Sequence, residues 1–329
     1  MTIYDIARSC NVSIATVSRV LNGSHKVSKQ TRDKVLAMMA KQNYTPNVFA
    51  RGLGLDSMKM IGILCTDVAD PFFAKAVSLV EFDLKKRGFD VLLACTGNAL
   101  EDKKKYLHVL LEKRVDAILL IGSPFRENED NTHIENAAQQ VPILIINGLV
   151  DHPNIYCVLC DEKEAMLKNV ELLHRQGFHE ILYLYDALTF GGQQKLSGYK
   201  QGLKNCGLSE DKKLFHKIPK TMEAAIQITQ NLLQQNIKFS AAIAAEDLLA
   251  IGIQKATRSA GLSIPIIGFN NSILAKCTTP ELTSVDNRLD VLCPTAVEQL
   301  LEILSGNEVP QKTIIPAQII ERESFKFSI

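Results

Sequence analysis

No apolar run in this 329-residue chain approaches the roughly 18 residues that a membrane-spanning helix needs. The opening Met1-Thr2-Ile3-Tyr4-Asp5 has neither a basic start nor an apolar signal region, so the expectation is a cytoplasmic chain that meets no membrane. A Walker-type phosphate loop and a GxSxG nucleophile elbow are both missing. The seven histidines (His25, His108, His133, His152, His174, His179 and His216) follow no metal-ligand spacing. Of eight cysteines only Cys157 and Cys160 form a CxxC, and neither a second pair nor histidines stand close enough to complete a zinc site. That pair lies in the apolar segment Tyr156-Cys157-Val158-Leu159-Cys160, which reads as strand packing, with Cys acting as a small hydrophobe. Disulfides are not expected in a cytosolic chain. The sequence therefore predicts no metal, no cofactor and no catalytic set: a non-enzyme.

An excess of one charge is missing too, since 37 Lys and Arg face 36 Asp and Glu, a net of +1. The balance hides a division. Residues 1–60 hold nine Lys or Arg against Asp5, Asp33 and Asp56, a net of +6, which leaves the rest of the chain at −5. A small basic head on a mildly acidic body suggests a polyanion-binding module joined to a unit with another task. At roughly 150 residues per domain the length accommodates two or three folded units. Contents of 46% hydrophobic and 22% charged residues are those of an ordinary globular protein.

In the head, Thr2 can cap a short helix on which Ile3, Ile6, Ala7 and Cys10 recur at helical spacing. Asn11-Val12-Ser13 breaks the pattern. Ser13 can cap a second helix with Val17, Val20 and Leu21 inward, which Gly23 ends. Ser28 can cap a third, with Val35, Met38 and Met39 facing the first two, ending before Tyr44-Thr45-Pro46. Two short helices across a three-residue turn, braced by a third, read as helix-turn-helix. The alternative is a plain three-helix bundle with a wet polar face. The outward face carries no acid, and its residue types suit the major groove. Ile14 and Ala15 can touch thymine methyls, and Arg19 can bridge guanine O6 and N7. Ser13, Thr16, Ser18 and Asn22 can bond phosphates or base edges.

The runs Thr2-Ile3-Tyr4-Asp5-Ile6-Ala7, Val12 to Asn22, Tyr44-Thr45-Pro46-Asn47 and Ala50-Arg51-Gly52-Leu53 resemble the LacI/GalR family of bacterial repressors. The resemblance implies that the residues at Ile14, Ala15 and Arg19 read an operator, with Lys26, Tyr44, Asn47 and Ala50 among the DNA contacts. It also makes 47–59 a hinge and linker whose helix, from Asn47 to Leu55, enters the minor groove, where Leu53 wedges between base pairs. Wedging costs a few kcal/mol of unstacking and kinks the duplex. Nine residues are too few for a stable isolated helix, so order there is expected only on DNA. Gly52 and Gly54 each cost roughly 1 kcal/mol relative to Ala in a helix interior. The competing reading is a plain flexible linker.

From Met60 onward apolar runs alternate with amphipathic stretches. Strands are predicted at 61–65, 91–94, 117–121, 143–146, 181–185, 241–245 and 264–269, and Phe73, Val77, Val80 and Leu84 mark a helix between the first two. Alternation of this kind implies parallel sheets covered on both faces, with a ligand at the carboxyl ends of the strands. The resemblance extends here through Asp70-Pro71-Phe72-Phe73, Val115-Asp116-Ala117-Ile118, Ala245-Glu246-Asp247 with Gly252, Ile267-Gly268-Phe269 and Ile320 to Phe325. It implies an all-α helix-turn-helix head (1–46) and hinge, then an α/β two-lobed body (60–329) similar to periplasmic sugar-binding proteins. Lobe 1 would comprise about 60–159 and 288–317, and lobe 2 about 160–287 and 318–329. Crossovers would fall near Cys160, Asn287 and Ala317.

Carried over position by position, the resemblance gives an effector pocket of Phe72, Phe73, Ser123, Asn147, Lys195, Glu246 and Asn270. The common sugar-binding pattern has Asp at 147 and 270, Arg at 195 and Asn at 246, so the pocket charge is rearranged. A modified or amino sugar, a sugar acid or a nucleoside all remain open as effector. Asp247 is expected to cap the helix that follows it, and Gly191-Gly192 to lie in a loop before the Lys195 helix. The implied function is a transcriptional repressor that binds double-stranded operator DNA as a homodimer under control of a small carbohydrate-related effector. The alternative is control by a protein partner such as a phosphorylated carrier protein, as in some family members. Dimer contacts are expected near Phe73 to Leu84, and the absence of leucine heptads after Phe325 argues against a coiled-coil tetramer.

Overall fold

The computed structural model describes residues 3–21, 24–42 and 57–327. The predicted contacts Asn22, Tyr44, Asn47, Ala50 and Leu53, the caps at Thr2 and Gly23, and residues 47–56 of the hinge lie outside the described residues. The chain divides into two compact units, 1–60 and 61–329.

In the first unit, α1 (Ile3–Cys10), α2 (Ile14–Leu21) and α3 (Lys29–Lys41) close on a small core of Ile6, Ala7, Cys10, Val17, Val20, Val35 and Met39. The turn between α1 and α2 works because Asn11 takes a left-handed backbone (φ 51°), which asparagine tolerates better than most side chains. Ser13 then accepts from the Thr16 amide at 3.1 Å and Ser28 from the Thr31 amide at 3.2 Å, satisfying amides that each helix start leaves unpaired. Leu21 and Met38 pack against the core while remaining half-buried.

The second unit holds two six-stranded sheets. The first contains β1 (Met60–Cys65), β2 (Asp90–Cys95), β3 (Ala117–Ile121), β4 (Ile143–Ile146), β5 (Ile155–Cys160) and β11 (Lys312–Ile315), in the order β11-β5-β4-β3-β1-β2. The second contains β6 (Ile181–Tyr185), β7 (Phe215–Lys217), β8 (Ala241–Ala244), β9 (Ile266–Phe269), β10 (Thr283–Asp286) and β12 (Gln318–Ile320), in the order β12-β10-β9-β8-β6-β7. β10 and β12 pair antiparallel, while β6 through β10 pair parallel. Central strands such as Ala117–Ile121 and Ile181–Tyr185 are buried along their whole length, as parallel strands covered on both faces must be. The chain passes from the first sheet to the second after β5, returns after β10 into α12 (Leu289–Leu304), and passes again between β11 and β12.

Helix α4 (Pro71–Lys86) packs beside α12 on the first sheet. Phe73, Ala76, Val80 and Leu84 are buried there, so the stretch expected to offer a dimer surface spends those side chains on its own core. Between Phe73 and Leu84 the exposed residues are Ala74, Lys75, Ser78 and Phe82. Cys157 and Cys160 are buried in β5, where burial pushes the Cys157 thiol up to about 11 and that of Cys160 higher still. Among the described residues no helix is long and apolar enough to cross a membrane, and no group of three His, Cys, Asp or Glu could hold a metal ion.

Candidate functional site

Two surfaces concentrate polar chemistry. On the head, Ser13, Ile14, Ala15, Arg19 and Lys26 are exposed and Thr16 and Ser18 half-exposed, while Val17 and Val20 turn inward. Ile14 is 42% exposed at the first position of α2, an apolar side chain that the head core does not use. No acidic residue lies between Ser13 and Leu21. The Ser13 and Thr16 hydroxyls sit 2.9 Å apart at the amino end of the helix, where unpaired amides favour an anion.

The other surface is a cavity of about 530 Å³ between the two sheets of the body. Its walls come from the carboxyl ends of the strands in both sheets, the crevice where open α/β folds bind ligands. Phe72 and Phe73 follow β1, Ser123 follows β3, Asn147 follows β4, Glu246 follows β8 and Asn270 follows β9; Lys195 is in α8 (Phe190–Asn205), after β6. All seven predicted pocket residues therefore line one cavity. Phe72 and Phe73 meet edge-to-face at 5.5 Å between ring centroids, and Asp70 caps their helix by accepting from the Phe72 amide at 2.8 Å.

Lys195 is buried and makes several contacts at once. Its ammonium donates to the Ala245 carbonyl at 3.0 Å, sits 3.6 Å from Glu162 and 3.8 Å from Glu246, and lies 4.1 Å over the Phe269 ring. Burial alone would push its pKa down, but Glu162 and then Glu246 outweigh it and hold the ammonium above the ordinary lysine range. Glu246 shows the reverse contest. Burial drives its carboxyl up to about 7 despite Lys220 and Lys195. Lys220 bridges Glu246 at 3.3 Å and Asp70 at 2.6 Å, joining the two walls of the cleft. Ser123 to Thr189 at 3.0 Å and Gln193 to Asn128 at 2.9 Å also join the walls, with Arg126 stacked 4.9 Å over Phe190.

These pairings explain the substitutions at 246 and 270 together. Asn270 donates its side-chain amide to Glu246 at 2.5 Å, whereas an ionised aspartate there would have no proton to donate and would set a second negative charge beside Glu246. Asn270 also takes a left-handed backbone (φ 90°), as does Asn147 (φ 57°). The Asn147 carbonyl is already occupied by the Cys160 amide at 2.7 Å, leaving its amide nitrogen for other work.

Two local expectations are corrected. Asp247 is not a cap for its own helix: it is the first helical residue, buried, and its carboxylate accepts from the Ser272 amide and hydroxyl and from the Ser284 hydroxyl, fastening neighbouring segments. Gly191 and Gly192 lie inside the first turn of α8, not in a loop, with Thr189 as the cap. The reason is space, since a Cβ at 191 would stand 2.5 Å from Glu162 and one at 192 would stand 2.1 Å from the Ala187 carbonyl.

Sequence reasoning missed Asp70, Glu162, Asp186, Lys220 and Asn287, all of which line the cavity. A signal existed: each lies within five residues after the carboxyl end of a strand.

Comparison with known proteins gives two family matches. The family described as "Bacterial regulatory proteins, lacI family" matches residues 2–47, and "Periplasmic binding proteins and sugar binding domain of LacI family" matches residues 58–323. An HTH-type transcriptional regulator of Lachnoclostridium phytofermentans is 48% identical over 99% of this chain and 100% of its own. Catabolite control protein A of Priestia megaterium is 29% identical over 99% of each chain. Among solved structures, the Lac repressor dimer bound to operator and the anti-inducer ONPF superposes with a TM-score of 0.88 at 26% identity, covering 98% of both chains.

Proposed function

Because this chain belongs to the LacI family of bacterial regulatory proteins and is a DNA-binding transcriptional regulator, we propose that it acts as a repressor: a homodimer on a pseudopalindromic operator, released or retained by a small carbohydrate-related effector in the interlobe cleft. The observation that carries the DNA half is the acid-free outward face of α2, where Ile14, Ala15 and Arg19 are exposed together. In this reading Arg19 grips a guanine edge, Ile14 and Ala15 meet thymine methyls, and Ser13, Thr16, Ser18 and Lys26 set the register on the backbone. Asn22, Tyr44, Asn47, Ala50 and the Leu53 wedge complete the contact. Two-fold symmetry of the protein then appears as two half-sites in the operator.

The effector acts by favouring one arrangement of the lobes over another, which changes the separation of the two hinge segments of the dimer. A coupling of about 1–3 kcal/mol makes a useful switch. Support for a small-molecule effector over a protein partner comes from the cleft itself, which pairs two aromatic rings with a dense set of hydrogen-bonding groups.

An operator selected from random duplexes, titrated by fluorescence anisotropy, tests the DNA assignment. Arg19→Ala should weaken binding by about 1–3 kcal/mol, roughly fivefold to a hundredfold, and flatten discrimination at one base pair of each half-site. Unchanged affinity in both Arg19→Ala and Leu53→Ala would remove the assignment.

A further inference from the structure

All eight cysteines are free thiols, and among the described residues two of them meet sulfur to sulfur: Cys65 and Cys95, 3.8 Å apart. Cys65 is the last residue of β1, and Cys95 the last of β2, the edge strand beside it. The Thr96 amide donates to the Cys65 carbonyl at 2.9 Å and the Gly97 amide to the Thr66 carbonyl at 2.9 Å, so the two backbones are fixed together at this level. Neighbouring strands run about 4.8 Å apart, inside the window of about 4.4–6.8 Å between Cα atoms that a disulfide spans. The two residues are therefore already near enough to be joined. The CxxC of β5 is not, because Cys157 and Cys160 stand three apart on one strand and point to opposite faces.

The two thiols differ in access. Cys65 is fully buried in the core shared with α4 and α12, and burial, then Cys95, pushes its thiol up to about 12. It stays protonated and out of reach of solutes. Cys95 is exposed. An oxidant meets Cys95 first, and the second thiol is held in contact with it, where its effective concentration is high. An accessible thiol beside a resolving one is the arrangement that traps an oxidised sulfur before it is oxidised further. The location matters as well. Thr66, Asp67 and Asn98, within three residues of the two cysteines, line the cleft, so a link here ties together two of the segments that shape it.

We propose that Cys65 and Cys95 form a reversible oxidation site whose oxidant is a hydroperoxide. With hydrogen peroxide, the Cys95 sulfur attacks one oxygen, the O–O bond breaks, and Cys95 becomes a sulfenic acid as water leaves. The Cys65 sulfur then attacks the Cys95 sulfur. The S–S bond forms, the S–O bond breaks, and the departing hydroxide leaves as water with the Cys65 proton. Two thiols lose two electrons and one peroxide gains them. A dithiol reverses the change by exchange through a mixed disulfide. Where thiols are otherwise kept reduced, a disulfide of this kind is transient and reports on oxidant. The site stands apart from the operator and effector readings and does not depend on either.

The test treats the full chain, freed of reductant, with hydrogen peroxide, then alkylates it and digests it without reduction for mass spectrometry. The expected main product is the Cys65–Cys95 linked peptide pair, with two thiols lost per chain and both regained on dithiothreitol. Cys277 is exposed too but touches no thiol among the described residues, and it serves as the internal comparison. In Cys65→Ser the oxidation should stop at the sulfenic acid, and the dimedone adduct at Cys95, read against that at Cys277 in the same sample, should rise at least tenfold over the parent. The parent result decides the matter even if that variant folds poorly. Oxidation of Cys95 with Cys65 still free to be alkylated overturns the proposal. So does a link from Cys95 to Cys95 of a second copy, or a chain that keeps all its thiols while Cys277 is oxidised.

Discussion

The outward face of α2 and the floor of the cleft are both rich in polar side chains, and they dispose of them in opposite ways. On α2, Arg19 stands in solvent with no ion-pair partner among the described residues, beside an exposed isoleucine and alanine. In the cleft, Lys195 and Glu246 are largely withdrawn from water and held by residues from several strand ends. The first surface is incomplete by itself and is finished by a polyanion, so its affinity should be steep in salt. The second has spent most of its charge internally. There a ligand must join an existing network, and the response should be steep in pH.

The largest effect that bears on this contrast is expected from Lys195→Met. Removing the ammonium leaves Glu162 and Glu246 facing each other in a buried site, and breaking a buried pair from one side costs about 3–5 kcal/mol. Urea denaturation of the full chain, followed through the body transition, measures it. Arg19→Ala should leave that transition where it is, because exposed side chains away from special features rarely move stability by more than about 0.5 kcal/mol. A loss below 1 kcal/mol for Lys195→Met would mean that the cleft is as wet as the helix face, and the contrast would be gone.

The same contrast explains what could be read in the sequence. The head is local: its stripe at helical spacing, its caps at Ser13 and Ser28 and its turn at Asn11 are settled by residues a few positions apart. Buried strands such as Ala117–Ile121 were equally plain, being apolar runs of the right length. The cleft positions came from resemblance, and partners such as Glu162, Lys220 and Asn287 were not among them. Lys220 meets Asp70 across 150 positions and Lys195 meets Ala245 across 50, separations that no periodicity encodes. Asp247 misled for the same reason: beside a helix start it looks like a cap, and only the fold brings Ser272 and Ser284 to it.

A second, smaller effect is the pH response of Glu246. Its pKa rises from the usual 4.5 to about 7 on folding, with Lys220, Lys195, Asp186 and Asp70 as the charges that face it. Between those values the folded chain holds a proton that the unfolded chain has released. The stabilisation is therefore full below pH 4.5, declines as pH climbs, and is gone above pH 7. Relative to Glu246→Gln, the parent protein should lose about 1 kcal/mol per pH unit across that window and run parallel to it above. Denaturation midpoints at pH 5, 6, 7 and 8 decide it, and parallel curves throughout would show an ordinary solvated carboxylate.

The smallest effect separates a buried pair from a bridging one within the cleft itself. Asp70 caps α4 through the Phe72 amide and also meets Lys220 from the opposite wall, yet Lys220 is 37% exposed. Asp70→Asn keeps an oxygen for the cap and removes only the charge. Because a partly exposed pair is screened and worth less than about 1 kcal/mol, the melting transition should barely move. What should change is the closure of the walls. Amide exchange at 186–192, which holds the Ser123–Thr189 contact, should quicken at low salt and match the parent at high salt, where the pair is already screened. If exchange is unaltered at low salt, the walls are held together by Ser123, Asn128 and Arg126 alone, and Lys220 serves only to balance Glu246.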